Sequence, residues 1–329
     1  MKSINEEQAV GESIRDCFES GEIYVPVEQV SWIDLLGADR GKVLGNLTTN
    51  HVAGLAPGEG CETFITDARG KTFGHGFVYA LDDRLRLLTV GDQFERLSAH
   101  IDRYVIREDL TIEDRTAELH TVFIPGVGQT RLTTRLGLTA AEPPRLKTQI
   151  GQLDAVELRI YQVPYTRDAD WLLQVPAAQA DALDAALVAL DILPGHCSLM
   201  HCGRITNHFP WFGIDFTEAN LPQEMDRDDR AISFRKGCYL GQETIARLDA
   251  MGQVQKKLLL WRFDGSVVPP QGTELRQGEK VVATVTSGTY CFAHHAPFAL
   301  ALTRRSHFAP GATAESEYGT ATVVDPNAE

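Results

Sequence analysis

Segments of period-two alternation recur along the chain, but they never fall into the strand–helix–strand cadence that a doubly wound parallel sheet requires. Strands are expected at 23–27, 85–90, 110–114, 119–124, 156–163 and 171–175. A hairpin is expected at 61–67 and 71–79, where alternating residues flank Asp67-Ala68-Arg69-Gly70 with Gly70 at the tight position. Helical spacing is interspersed. Val43, Leu44 and Leu47 follow a turn in which Asp39 is placed to cap free amides, Phe94, Leu97, Ile101 and Tyr104 form the core face of a helix at 92–104, and an amphipathic helix occupies 177–190. After Gln253 the helical period disappears. Short strands at 257–263, 280–286, 298–303 and 321–324, separated by turns such as Pro269-Pro270-Gln271-Gly272, specify a small β-barrel or sandwich. The fold class is therefore α+β.

An acidic helix at 5–19, closed by Gly21, comes first, and residues 325–329 are expected to fray. Gly126-Val127-Gly128 lacks the third glycine of a dinucleotide fingerprint, and Pro143-Pro144 breaks the chain after it. Asn46, Thr48, Thr49 and Asn50 read as a polar turn that satisfies its own backbone, with His51 a structural or surface histidine.

With 329 residues, 43% of them hydrophobic, the chain can bury a large core in two or three domains. A net charge of −14 argues against phosphate backbones or anionic lipid as the main partner. The first fifteen residues resemble neither a secretory signal nor a transit peptide, and no stretch approaches the run of about 20 apolar residues that spans a bilayer. A cytoplasmic location is the expectation. The six cysteines show no repeating spacing and no Cys-x-x-Cys pair, which suits mostly buried small hydrophobes in a reducing compartment. The patch His196-Cys197-Ser198-Leu199-Met200-His201-Cys202 gathers metal-type residues, but a spacing of five does not share a helix face, so it reads as structural and no metal site is expected.

The densest chemistry lies in the stretch from Ala231 to Arg247, where Lys236, Cys238, Tyr239, Gln242, Glu243 and Arg247 follow one another around Gly237 and Gly241. Both glycines permit positive φ and close approach of another chain, and helical composition starts at Gln242. Nearby cations and a helix start suit a reactive or metal-contacting sulfur at Cys238; an inert buried thiol is the competing reading. No histidine lies close in sequence to act as a base, which weighs against a cysteine hydrolase.

The run Lys236-Gly237-Cys238-Tyr239-Leu240-Gly241-Gln242-Glu243, followed by Arg247, resembles the signature of the YgfZ-type folate-binding proteins, relatives of the glycine-cleavage aminomethyltransferase, or T-protein. Gly37-Ala38-Asp39-Arg40 through Thr49-Asn50, Asp67-Ala68-Arg69-Gly70-Lys71, Arg204-Ile205, Pro222-Gln223-Glu224 and the terminal β region fit the same family in the same order. The resemblance implies a three-domain, T-protein-like cloverleaf in which two α+β lobes and a C-terminal β-barrel surround a tetrahydrofolate-binding hole. It divides the chain into residues 1–115, 116–252 and 253–329, the two lobes interleaving in sequence. It further implies an accessory role in assembling or repairing iron–sulfur clusters, with Cys238 as the key thiol and iron–sulfur carrier proteins or client enzymes as partners. Arg204, Gln223 and Glu224 are candidates for the folate ring or tail. Lys236 and Arg247 are candidates to orient the motif or meet anionic groups, beside Tyr239, Gln242 and Glu243. Where T-proteins carry an Asn-Ala pair and a catalytic aspartate, this chain reads Val90-Gly91-Asp92-Gln93-Phe94-Glu95, and T-proteins also lack the motif cysteine. The alternatives are a folate-dependent one-carbon transferase acting on an amine or tRNA base, for which Asp92 or Glu95 would substitute, and a folate-free module that binds a partner protein.

Overall fold

Among the residues that the computed structural model describes (22–126, 131–166, 169–252, 254–291 and 294–326), eleven strands form one continuous sheet and six form a closed barrel. The expected helix at 5–19 with its Gly21 cap, Val127 and Gly128 of the glycine turn, Gln253 and the last three residues lie outside this set. The strands of the sheet are β1 Ile23–Pro26, β2 Val30–Leu36, β3 Glu59–Thr66, β4 Thr72–Ala80, β5 Arg84–Val90, β6 Thr111–Asp114, β7 Leu119–Ile124, β8 Arg145–Leu153, β9 Val156–Val163, β10 Asp170–Pro176 and β11 Leu193–Pro194. Their spatial order is β11-β1-β7-β10-β9-β8-β3-β4-β5-β2-β6. The antiparallel hairpins β3–β4 and β9–β10 carry the two halves, and β8 joins them by pairing with both β3 and β9.

Each half of the sheet buries one face against helices. α1 (Arg40–Leu47) and α2 (Phe94–Asp102) cover Ile33, Leu35, Val78 and Leu87, whereas α3 (Arg131–Leu136) and α4 (Ala180–Val188) cover Val122, Ile160 and Leu173. The opposite faces share a second core of Trp32, Phe77, Tyr79, Phe123, Tyr161 and Tyr165. A buried polar link crosses that core: the Arg86 guanidinium on β5 donates to both Asp34 oxygens on β2, to Tyr161 Oη on β9 and to Gln174 Oε1 on β10, at 2.7–3.0 Å. Such a group is costly if any partner is removed, so the link fixes how the halves meet.

The barrel runs β12 (Lys256–Phe263), β15 (Ala296–Arg304), β14 (Lys280–Cys291), β13 (Glu274–Gln277), β16 (Thr313–Ser316) and β17 (Gly319–Val324), closing between β17 and β12. Side chains of β12 alternate between two cores, as a strand must. Leu259, Trp261 and Phe263 fill the barrel, and Leu258 and Leu260 pack with Phe64, Ile205, Phe216 and Met225. That two-sided burial explains the unbroken run Leu258-Leu259-Leu260-Trp261. No helix among the described residues is long and apolar enough to cross a membrane.

Several elements escape the sequence pattern. β2 is buried at six consecutive positions, which erases the two-residue period, and β13 and β16 have four residues each, too few to show one. Asp39 does occupy the N-cap position of α1, but its side chain caps nothing there; Oδ2 instead accepts the Asp109 N–H at 2.9 Å, tying the helix start to the loop after α2.

Candidate functional site

The motif, which follows the short helix α6 (Asp228–Ala231), is anchored by the turn after α1. Ser233 N–H donates to Thr49 O and Leu240 N–H to Asn46 O, while Thr49 Oγ1 donates to Ala231 O and Asn50 Nδ2 to Arg230 O, at 2.6–2.9 Å. The polar turn at 46–50 therefore does not merely satisfy itself; its bonds go to a segment about 180 residues away. Lys236 closes the arrangement. Its Nζ donates to Gly45 O, Thr48 O and Asn50 O at 2.7, 2.5 and 2.8 Å, tying the end of α1 to the turn after it, and lies 5.0 Å from the Tyr239 ring centroid. Burial lowers the Lys236 ammonium to about 8 and raises the Tyr239 phenol to about 12. Lys236 thus orients the motif from behind.

Only one of the two motif glycines is demanded by geometry. Gly241 has φ +78°, and a Cβ there would fall 2.5 Å from both Asp67 O and Gly70 Cα. Gly70 has φ +76°, and its Cβ would meet Gly241 O at 2.8 Å. The β3–β4 turn and the start of α7 (Gln242–Met251) are thereby interlocked glycine to glycine. The turn itself is held by Asp67, whose Oδ1 accepts the Arg69 and Lys71 N–H groups at 2.8 Å. Gly237, by contrast, has no positive φ and would meet nothing within 4 Å, contrary to the expectation for both.

Between α1, the hairpin turn and α7 lies a cleft of about 670 Å³. It brings together Cys238, Tyr239, Gln242 and Glu243, facing Lys42 and Tyr104. The Cys238 thiol is exposed. Arg247 is exposed on α7 and does not line this cleft. Gln223 is buried with its Nε2 donating to Ile245 O at 2.7 Å, and Glu224 accepts from Asn220 Nδ2 at 2.8 Å and from Leu221 N–H. Beneath them Glu62 binds Arg227 through both oxygens and His75 Nε2 at 2.8 Å. Burial opposes the Glu62 charge, but Arg227 and then His75 outweigh it and bring the carboxyl down to about 2.

A second cleft of about 530 Å³ shares no lining residue with the first. Its walls are Val27, Val30, Val90, Tyr165, Met200 and Trp211, with His196, Cys197, Ser198 and His201 from the start of α5 (Cys197–Thr206). Two residues of its lining carry buried donors without partners, Tyr165 Oη and Trp211 Nε1, in side chains 1% and 7% exposed. Arg204 belongs to the wall behind. Its guanidinium lies 4.4 Å from the Trp211 ring centroid and donates to Asp215 Oδ2 at 2.7 Å, to Phe209 O and to His201 Nδ1. Burial, reinforced by the Arg204 charge, pushes His201 down to about 4, so it stays a neutral acceptor at neutral pH. Asp215 accepts in addition from Thr286 and Ser287 of the barrel, so one buried carboxylate joins this wall to β14. Sequence reasoning missed Tyr165 and Trp211, and only their burial without a partner distinguishes them.

The model of the GCVT N-terminal domain matches residues 9–236. A tRNA-modifying protein YgfZ of Sodalis glossinidius is 27% identical over 81% of this chain and 80% of its own length. An aminomethyltransferase of Exiguobacterium sibiricum is 24% identical over 88% and 78% respectively. A chloroplastic protein of Arabidopsis thaliana that carries a transferase name is 23% identical over 83% of this chain, which spans 63% of that relative's length. The crystal structure of the glycine cleavage system aminomethyltransferase T from Bartonella henselae superposes with a TM-score of 0.81 over 95% of this chain and 88% of that one, at 13% identity. Two α+β units with a six-stranded closing barrel are thus the aminomethyltransferase fold, and the YgfZ relatives fit the motif resemblance. By the span of that match, the chain belongs to the GCVT N-terminal domain family.

Proposed function

We propose that the protein binds tetrahydrofolate, or a one-carbon derivative of it, in the cleft beside Tyr165 and Trp211, and serves as an accessory protein for assembly or repair of iron–sulfur clusters in client enzymes. Cys238 is the working thiol. The observation that carries the folate half is the pair of unpartnered donors, Tyr165 Oη and Trp211 Nε1, in the lining of a cleft that pairs apolar walls with polar residues such as Glu28, Gln29, Ser198 and His201. A buried donor without an acceptor costs about 1–3 kcal/mol, and a flat pteridine with its carbonyl and ring nitrogens supplies acceptors while filling the apolar walls. Val27, Val30, Met200 and the Trp211 ring would hold the ring system. When bound, the folate supplies a one-carbon unit or its empty acceptor; the chain's own part is to orient it and exclude water. Similarity to aminomethyltransferases supports the same reading.

The iron–sulfur half rests on the motif resemblance and on an exposed Cys238, two residues from the anchored Lys236, in its own cleft. Carrier proteins or client enzymes would meet that cleft, in the cytoplasm. Calorimetric titration with 5-formyltetrahydrofolate tests the first half: wild type binds, and Tyr165→Phe and Trp211→Phe each weaken binding roughly three- to tenfold, one lost hydrogen bond apiece. Absence of heat with wild type would sink it. For the second half, iron–sulfur enzyme activities in cells lacking the protein should be restored by wild type and not by Cys238→Ala.

A folate-dependent one-carbon transferase acting on an amine or tRNA base is the second reading, supported by the names of the aminomethyltransferase and tRNA-modifying relatives. Asp92 and Glu95, the acids it would need, are exposed and line neither cleft. Methylenetetrahydrofolate formed from an amine donor, and lost in Asp92→Asn or Glu95→Gln, would decide for it.

A further inference from the structure

We infer that Cys202 and Cys291 form a redox-sensitive pair, whose disulfide staples helix α5 to the end of barrel strand β14. Cys202 is half-buried on α5, and Cys291 is buried at the last position of β14. Cys202 Sγ donates to Tyr290 O, one residue before Cys291, at 3.6 Å, and its side chain is in hydrogen-bond contact with that of Cys291. The contact spans an interface that is already packed. α5 lies against β14 and β15, and Ile205, three residues after Cys202 and so on the same helix face, shares a core with Cys291, Phe298 and Leu300. That core fixes both elements and keeps the two sulfurs neighbours.

The oxidant is a peroxide. Cys202, the more accessible of the two, loses its proton and attacks one oxygen of hydrogen peroxide; the O–O bond breaks, Cys202 becomes a sulfenic acid, and the displaced hydroxide takes up the proton as water. The Cys291 sulfur then attacks the sulfenic sulfur, the S–O bond breaks, and the released hydroxide takes up the Cys291 proton as a second water. Each sulfur gives one electron, both go to the peroxide, and a dithiol reverses the product by exchange. Contact with Cys291 and then burial raise the Cys202 thiol, so the first step is slow, whereas the second, between held neighbours, is fast.

Position gives the staple its consequence. Cys202 directly follows His196, Cys197, Ser198, Met200 and His201, the part of α5 and its cap that walls the 530 Å³ cleft. A disulfide there pins that wall to the barrel, beside the tie that Asp215 makes to Thr286 and Ser287. It also closes a loop of about 90 residues, the long-loop case in which a cross-link most restricts the unfolded chain. None of this depends on which ligand the cleft takes.

The test treats the full-length protein with hydrogen peroxide, blocks the remaining thiols and maps cross-links by peptide mass. The expected product joins the Cys202 and Cys291 peptides. Dimedone, which traps sulfenic acids, should label Cys202 roughly tenfold more in Cys291→Ala than in wild type, because the intermediate then lacks its captor. Stability is compared in a chain carrying Cys197→Ser and Cys238→Ser, which removes the exposed thiols. Oxidised, that chain should unfold at a higher urea concentration than after dithiothreitol, and exchange of its α5 amides should slow roughly tenfold. Adding Cys202→Ser should abolish both differences. The oxidised and reduced forms are one chain, so this comparison decides even where a variant folds poorly. Cross-links at other cysteines in place of this one, Cys202 overoxidised while Cys291 stays reduced, or equal urea midpoints before and after dithiothreitol would overturn the inference.

Discussion

Replacing Gly241 by alanine tests whether the interlock with Gly70 holds the Cys238 cleft together. An alanine at φ +78° costs about 1–2 kcal/mol for the left-handed backbone. Its Cβ would also stand 2.5 Å from Asp67 O and Gly70 Cα, backbone atoms that no rotamer change can move aside, which adds about 1–3 kcal/mol of overpacking. The sum, about 2–5 kcal/mol, is a large share of the roughly 5–15 kcal/mol by which folded domains are stable. Relief requires the hairpin turn and the start of α7 to separate, which breaks the 2.7 Å bond from Thr66 Oγ1 to Leu240 O and widens the cleft around Cys238. Gly237→Ala is the matched control: with no positive φ and nothing within 4 Å, it should stay within about 0.5 kcal/mol of wild type. Urea unfolding of both variants gives the free energies, and the iodoacetamide alkylation rate of Cys238 reports the cleft. Equal midpoints for the two variants, or a Gly241→Ala shift below 0.5 kcal/mol, would refute the interlock.

Other substitutions separate the framework from the clefts. Lys236→Met leaves three carbonyls without their shared ammonium and should cost about 1.5–3 kcal/mol in thermal unfolding. Lys236→Arg should rescue poorly, because a planar fork cannot point at three converging oxygens. Asp215→Ala strands the Arg204 charge, whose side chain is 0% exposed, and also frees Thr286 and Ser287; a loss of about 3–5 kcal/mol and weaker protection of barrel amides in hydrogen exchange are expected. Acid titration of stability should show two windows. His201 is held below its ordinary 6.5, at about 4, so folding disfavours its proton; the stability this confers is complete above 6.5 and is lost as pH falls toward 4. Glu62 is held below 4.5, at about 2, so its contribution is complete above 4.5 and is lost between 4.5 and 2. His201→Gln should shrink the upper window, which His100 and His208, also lowered by burial, share, and Glu62→Gln should shrink the lower, which Asp34 shares, as read from urea midpoints across pH; an unchanged profile in either would reject the assignment.

How legible this was depends on whether a residue's role is set by its neighbours in sequence. The hairpin around Asp67-Ala68-Arg69-Gly70 was readable because Asp67 and Gly70 complete the turn within five residues. The α7 start at Gln242 and four of the six barrel strands, β12, β14, β15 and β17, were readable from local period and composition. β2 was not, because burial on both faces leaves no alternation to detect. Asp39 looked like a cap and is a tether, since its acceptor capacity went to an amide 70 residues away.

The sequence by itself determined the α+β class, a separate C-terminal β region and the motif that carries Cys238, all features written in local period or in a contiguous run. Only the tertiary structure decided which of two glycines is irreplaceable, that Lys236 ties the end of α1 to the turn behind the motif, and that Cys238 and Cys197 open on separate clefts. It alone shows Tyr165 and Trp211 as donors in want of an acceptor. The physical reason is that hydrogen-bond satisfaction and close approach are properties of what the whole chain brings together, and no window of sequence contains the partner or its absence.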